Sequence, residues 1–363
     1  MRTETAGIAH LALRDAAGTV SDPLLWPGPQ PDGPQPGGPA GDLLLVDLDE
    51  AAGAPAGIVA AAAARIGASD RVVAGTAAGP LAPDAAAPLL EALTLTVAPD
   101  AGGDRRIIRH QDPRAAVAAL AASFAACPSA GTVLRQVLAA TARLPVRDGL
   151  RVESFAYSTL LAGPEFRAWL AGRTPPRPAA AGHDPVQVSR DGAILVISLD
   201  DPARRNAYSA AMREALLDAL SVAAADPAVH EVRIRGRGPA FCSGGDLAEF
   251  GTGPGGSIAH FVRIQRSPGL LIHRLRGRVR ADLHGACIGA GIELPAFAGW
   301  LTARPDTVIR LPEIAMGLIP GAGGTVSITR RIGRWRTAYL ALGGLPIDAP
   351  TALDWGLVDE IAV

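Results

Sequence analysis

The sequence predicts an α/β fold in two parts, a smaller α/β region ending in helices and a larger α/β module built on glycine-rich turns. Three observations predict it. Short apolar runs alternate with helical stretches from Leu43 to Val97, and helical periodicity dominates from Pro113 to Arg173. A Pro/Ala stretch over Thr174–Pro185 then separates these from a second alternating series.

The 363 residues accommodate two modest domains or one large domain with an extension, and a hydrophobic content of 48% is ample for a core. A formal net charge of −1 excludes the basic face of a dedicated nucleic-acid binder. No lysine occurs, so all 34 basic residues are arginines. That removes a P-loop lysine, a Schiff-base lysine and a pyridoxal phosphate anchor together. Cys127, Cys242 and Cys287 are too few and too scattered for a disulfide framework or a zinc cluster, so no metal is expected. They read as reduced thiols of a cytoplasmic protein. Neither a signal peptide nor an apolar run of membrane-spanning length is visible.

In chain order, residues 1–41 read as a weakly patterned lead-in followed by a Pro/Gly-rich linker. Region 42–173 comes next. Leu43–Val46, Val72–Gly75 and Leu93–Val97 are expected strands, with helices over Val59–Arg65 and Ala85–Ala92. Helices follow over Ala115–Ala126, Ala130–Leu144 and Leu150–Arg173, and Pro164 is expected to start a new helix inside the last stretch. After the linker at 174–185, the 186–363 module opens with Ala193–Leu199, an apolar run fit for a central strand. Ser209 is placed to cap a helix over Ala210–Ala224. Glu231–Gly236 alternates as an edge-accessible strand would. Helical periodicity over Ser257–Arg276 breaks at Pro268, Val279–Leu283 is a strand, and Ile288–Phe297 is expected to be a helix.

The chemistry concentrates in Pro239–Thr325. One glycine-rich turn reads Phe241-Cys242-Ser243-Gly244-Gly245-Asp246-Leu247, a second His284-Gly285-Ala286-Cys287-Ile288-Gly289-Ala290-Gly291-Ile292-Glu293-Leu294. Glu313 follows in Leu311-Pro312-Glu313-Ile314, just ahead of Gly317-Leu318-Ile319-Pro320-Gly321-Ala322-Gly323-Gly324-Thr325. Dense glycines let a backbone approach a ligand and aim bare N–H groups at it, and two such groups on one oxygen make an oxyanion hole. Two glutamates beside it can divide the roles of base and acid. Taken singly, Glu293 reads as a surface helix acid and Glu313 as an acid at a helix N-terminus; taken with both turns, catalysis is the better reading.

These stretches, with the Arg204-Arg205-Asn206-Ala207 turn before them and in this order, resemble the crotonase superfamily of enoyl-CoA hydratases and isomerases over the second half of the chain. The resemblance implies a core of repeated ββα units that binds acyl thioesters, with the thioester oxygen held by the N–H groups of Gly245 and Ala290. It implies that Glu293 and Glu313 hold water and exchange protons with the substrate. Coenzyme A then enters as part of the substrate, near Arg204, Arg205, Cys242, Ser243 and Gly244, and no separate cofactor is expected. A homo-oligomer, a trimer or hexamer, is the implied assembly, without nucleic acid or membrane. Other crotonase-type chemistry remains open: isomerisation, thioester hydrolysis, decarboxylation or cofactor-free oxygenation. So does a catalytically silent assembly subunit, and a carrier protein in place of coenzyme A.

The chain departs from the family pattern at three places. Ala248 stands where a lysine is usual, so Arg204 and Arg205 are the candidate replacements. His284 precedes the second turn's glycine and reads as a packed strand-end residue. The usual C-terminal helices are not seen after Leu357–Val363, whereas Glu153–Arg173 resembles them. The first part thus reads as a degenerate crotonase-like copy, and its helices are expected to pack on the second half. Phe250, Phe261, Ile264 and Leu271 are candidate acyl-pocket side chains.

Overall fold

The computed structural model describes residues 8–18, 42–79, 81, 83–174, 184–253 and 255–362. The linker expectations for 21–41 and for most of 174–185 lie outside these. Two compact units result. The first runs to Ala139 and takes in Gly333–Gly344; the second comprises Ala140–Ile332 and Leu345 onward.

In the first unit, β1 (Ile8–His10), α1 (Leu13–Ala17), β2 (Leu43–Asp47), α2 (Ala56–Ala68), β3 (Val73–Thr76), α3 (Pro83–Ala92), β4 (Leu95–Ala98) and β5 (Ile107–Arg109) precede α4 (Pro113–Ala126) and α5 (Pro128–Thr141). The five strands pair in sequential order and all in parallel. Leu43-Leu44-Leu45-Val46 is buried at every position, as a parallel strand covered on both faces must be. Leu44, Val46, Val59, Ile66, Leu89 and Leu93 meet in its core. The lead-in therefore carries a strand and a helix that the sequence reading missed, because three residues are too few to show periodicity.

The second unit begins with α6 (Val146–Leu161) and α7 (Pro164–Ala171) and continues β6 (Val186–Asp191), β7 (Ile194–Leu199), α8 (Ala210–Ala225), β8 (Glu231–Gly236), β9 (Ala240–Cys242), α9 (Gly256–Gln265), α10 (Pro268–Arg274), β10 (Val279–Leu283) and β11 (Ala286–Ile288). It closes with α11 (Ala290–Glu293), β12 (Trp300–Ala303), β13 (Val308–Arg310), α12 (Gly324–Gly343), β14 (Ile347–Asp348), α13 (Ala349–Trp355) and β15 (Glu360–Ile361). Non-helical φ and ψ at Gly333 divide α12, and its two parts fall in different units. From β8 to β13 strands alternate between two sheets, one ordered β15-β12-β10-β8-β7-β6 and the other β14-β13-β11-β9. In three repeats, those opening at β8, β10 and β12, a strand in the large sheet is followed by a short strand in the small one and then helix, while β6-β7-α8 keeps both strands in the large sheet; this is the ββα plan expected. Ser209 Oγ accepts from Met212 N–H and caps α8 as read. No single helix among the described residues is long and apolar enough to cross a membrane.

Two expectations change. Glu231–Gly236 is a central strand flanked by β7 and β10, not an edge. Its alternation reports one covered and one open face, which says nothing about position in the sheet. The units divide at Ala139/Ala140, ahead of the Pro/Ala stretch, because α6 and α7 join the second core. The rings of Tyr157 and the backbone of Phe166 press on Gly321 and Gly317, where an added methyl would come within 2.4 Å and 2.6 Å respectively. Ser158 Oγ donates to Gly256 O, and Arg173 donates to the carbonyls of Leu247 and Phe250. Helices from before the linker thus pack on the second half within the same chain. Those up to Ala139 belong to the first unit.

Asn206 fixes the polar turn between β7 and α8. It is 0% exposed, sits at φ 54°, and its Nδ2 donates to the carbonyls of Arg237, Ala240 and Phe241 while Oδ1 accepts from Asp201 N–H. Asparagine tolerates this left-handed backbone better than most residues. Asn206→Ala should lower stability by roughly 2–3 kcal/mol, since buried carbonyls lose their donor. Asn206→Gly should restore only the backbone part of that loss. Urea unfolding checks both, and an unchanged midpoint for the alanine variant contradicts this role.

Candidate active site

The small sheet aims the site. Parallel pairing sets Cys242 opposite Cys287 and Ile288 opposite Arg310. Gly245 lies three residues beyond Cys242, Ala290 three beyond Cys287, and Glu313 three beyond Arg310. All three therefore emerge at the carboxyl ends of neighbouring parallel strands, the usual place for ligands in such sheets.

Backbone bonds hold the first turn. Tyr208 N–H donates to Gly244 O at 2.7 Å, Asp246 N–H to Tyr208 O at 3.1 Å and Ser243 N–H to Arg205 O at 3.0 Å. No carbonyl among the described residues takes up the N–H of Gly245 or of Ala290. The helix expected over Ile288–Phe297 is only the four-residue α11 followed by a 3₁₀ turn at Pro295–Phe297. Pro295 lacks the N–H that would continue it. A helix this short adds little dipole, so the bare N–H of Ala290 itself matters.

Between the glutamates lies Gly289, at φ 50°, whose N–H donates to Arg310 O. A methyl group there would meet Glu313 Oε1 at 2.5 Å and Glu293 Oε1 at 3.8 Å, so only glycine leaves both oxygens facing one space. Glu293 is 2% exposed, and its Oε2 accepts from Ala322 N–H at 2.7 Å and Gly324 N–H at 2.9 Å. Burial raises its pKa and the two N–H groups oppose the rise. Glu313, 8% exposed, keeps a buried Oε2 with no partner in the structure. Burial, then the charge of Glu293, pushes its pKa well above the carboxylate range. The two carboxyls thus have different environments: two backbone donors reach Glu293, while Glu313 keeps an oxygen with no hydrogen-bond partner among the described residues.

A third carboxyl was not read from the sequence. Glu153 of α6 is 2% exposed; its Oε1 accepts from Gly323 N–H at 2.7 Å and its Oε2 from Thr325 N–H at 3.0 Å and Thr325 Oγ1 at 2.6 Å. Burial, then Glu293, raises its pKa. The available signal was an acid on the apolar face of an amphipathic helix, in line with Val146, Gly149 and Leu150. Tyr157, one turn on, has Arg263 over its ring at 5.0 Å.

The predicted thioester-contact residues divide. Arg204 pairs with the buried Asp246 at 2.5 Å, and Asp246 also caps Ala248 N–H, so much of its charge is already engaged. Arg205 is exposed. The side chain of Cys242 turns inward to an apolar cavity of about 20 Å³ shared with Tyr208, Phe241, Ala290 and Leu294, and burial pushes its thiol up to about 12. Cys242 can then offer a ligand only backbone atoms. Ser243 Oγ lies 3.4 Å from Arg204 O. His284 Nε2 donates to Gly238 O at 2.9 Å, as a packed strand-end residue would. Of the pocket candidates, the Phe250 ring lies over Gly245, whereas Phe261 is 56% exposed beside His260.

Residues 189–363 match the family model described as enoyl-CoA hydratase/isomerase. A probable enoyl-CoA hydratase, EchA14, of Mycobacterium tuberculosis (strain H37Rv) is 32% identical over 182 residues, 50% of this chain and 71% of its own. The 2,3-dehydroadipyl-CoA hydratase of Escherichia coli (strain K12) is 32% identical over 177 residues, 48% of this chain and 68% of its own. The crystal structure of an enoyl-CoA hydratase from Thermoplasma volcanium GSS1 has 32% identity, covers 50% of this chain and 72% of that one, and has a TM-score of 0.46. With both glutamates and both turns in place, the chain belongs to the enoyl-CoA hydratase/isomerase family through its C-terminal half.

Proposed function

We propose that this enzyme adds water to, or removes it from, an acyl thioester conjugated with a carbon–carbon double bond. One observation carries the reading: Glu293 and Glu313 turn an oxygen each to the same space over Gly289. The thioester oxygen accepts from the N–H groups of Gly245 and Ala290. As water oxygen bonds to the β-carbon, the π electrons move onto the carbonyl oxygen as an enolate. The carboxylate of Glu293, whose rise in pKa on burial is opposed by two backbone donors, takes the proton of that water. The enolate then collapses and the α-carbon takes the proton of Glu313, which burial and the charge of Glu293 favour as an acid. Addition of water needs a base and an acid in one turnover, and this pair supplies both. Each oxyanion donor contributes about 3–4 kcal/mol to the transition state.

Coenzyme A or a carrier protein brings the acyl group, and no further cofactor takes part. Arg205, and Arg204 where Asp246 leaves it charge to share, stand for the missing lysine near the phosphates. Cytoplasmic location and a trimeric or hexameric assembly belong to the same proposal, and light scattering after size exclusion reads the assembly.

Glu293→Gln and Glu313→Gln should each lower hydration of a panel of 2-enoyl-CoAs by about 10²–10⁴-fold without lowering the unfolding midpoint. Full activity in either variant would sink the assignment. Activity of the unmodified enzyme should be bell-shaped in pH. It is lost toward acid as Glu293, raised to about 7, takes up a proton, and toward alkali as Glu313 gives up its own.

Stability follows the same carboxyls. A glutamate raised in the folded state contributes stability that is fully present below the unfolded pKa, about 4.3, and is lost as pH rises through the folded value. Glu313→Gln should therefore lose less melting temperature than the parent protein between about pH 5 and pH 9. Parallel curves in calorimetry would show that Glu313 is not held as an acid.

A further inference from the structure

Four successive N–H groups in the Gly321–Thr325 loop are shared between two carboxylates in strict alternation. Ala322 and Gly324 donate to Glu293 of α11, while Gly323 and Thr325 donate to Glu153 of α6. These are the N–H groups ahead of and within the first turn of α12, which no helical carbonyl can take. Successive peptide planes that face opposite ways are pinned from both sides, so neither carboxylate can hold the loop alone. With Glu153 absent, Gly323 and Thr325 would have no buried acceptor, and rotating their peptides would carry the N–H groups of Ala322 and Gly324 off Glu293.

The element that carries Glu153 is itself well anchored. Its neighbour Ser154 meets His260 Nδ1 through Oγ at 3.0 Å and accepts from Arg263 Nε at 3.0 Å. On the loop side, Thr141 Oγ1 donates to Thr325 O at 2.8 Å, and Gly149 lies against Val326. Glu153 therefore meets Thr325 from a fixed direction. Three donors satisfy its carboxylate, so it has no oxygen to offer a substrate.

We propose that Glu153 is a positioning residue: it orients the Gly321–Thr325 loop so that Ala322 and Gly324 stay aimed at Glu293. Its effect on turnover, which rests on the hydratase reading above, passes wholly through Glu293. Its effect on the loop does not depend on that reading.

Two measurements on the full chain test it separately. The first is amide hydrogen exchange by NMR at Ala322 and Gly324, neither of which bonds to Glu153. In Glu153→Ala both should lose protection by about tenfold or more relative to the amides of β10, and Glu153→Gln, which retains one acceptor oxygen, should lose less. Unchanged protection at both amides overturns the proposal. The second is hydration of 2-enoyl-CoA by Glu153→Gln, Glu293→Gln and the double variant. Glu153→Gln alone should lower kcat about tenfold with KM within about threefold, and should cost nothing further in the Glu293→Gln background. Multiplying losses would mark a general structural effect and overturn action through Glu293. If the parent protein hydrates no enoyl thioester, the hydratase reading fails while the exchange result still decides the role of Glu153.

Discussion

The site depends on how buried carboxylates are made tolerable. Glu153, Glu293 and Glu313 are all removed from water within one unit, and an isolated buried carboxylate is costly. The backbone of Gly321–Thr325 offsets this for two of them by giving each two N–H groups. For Glu313 the opposing contributions, its own backbone N–H and Arg310, come after burial and the charge of Glu293, and its Oε2 has no hydrogen-bond partner among the described residues. That imbalance gives two residues of the same type different affinities for a proton, which the proposed reaction uses. Glycine is needed in the loop because Tyr157 at Gly321, Phe297 at Gly323 and Glu293 at Gly324 come too close for a side chain.

The scaffold serves that arrangement by register. Three short parallel strands, β9, β11 and β13, end together, and each passes its next few residues into the same space. Asn206 ties the ends of β8 and β9 to the turn before α8, so the Gly245 turn is held from both sides. The helices over Gly317 and Gly321 come from before the catalytic module in sequence. They bring Tyr157 and Glu153 onto the Gly321–Thr325 loop, from outside the matched region, 189–363.

Much of this was legible in the chain. Strands Glu231–Gly236 and Val279–Leu283, the cap at Ser209 and the break at Pro268 follow from local pattern, and the structure places them within a residue or two. Gly245, Ala290, Glu293 and Glu313 stood out as candidates because glycine-rich turns and paired acids show in residue type and spacing. Glu153 was not, since an acid in an amphipathic helix looks like any solvated one until its neighbours are known. The same gap hid β1, misplaced β8 at an edge and put the unit boundary after α7.

Sequence by itself determined the family, the ββα plan and the two candidate acids, because each rests on order and spacing along one chain. Tertiary structure decided which acid is held as an anion, where Cys242 points, which arginine is already paired, and that a helix from before the linker shares the catalytic loop. Those depend on burial and on which N–H meets which oxygen across separations such as 170 residues between Glu153 and Gly323. Protonation and orientation are set by the local dielectric and by partners brought in from afar, and no local pattern encodes either.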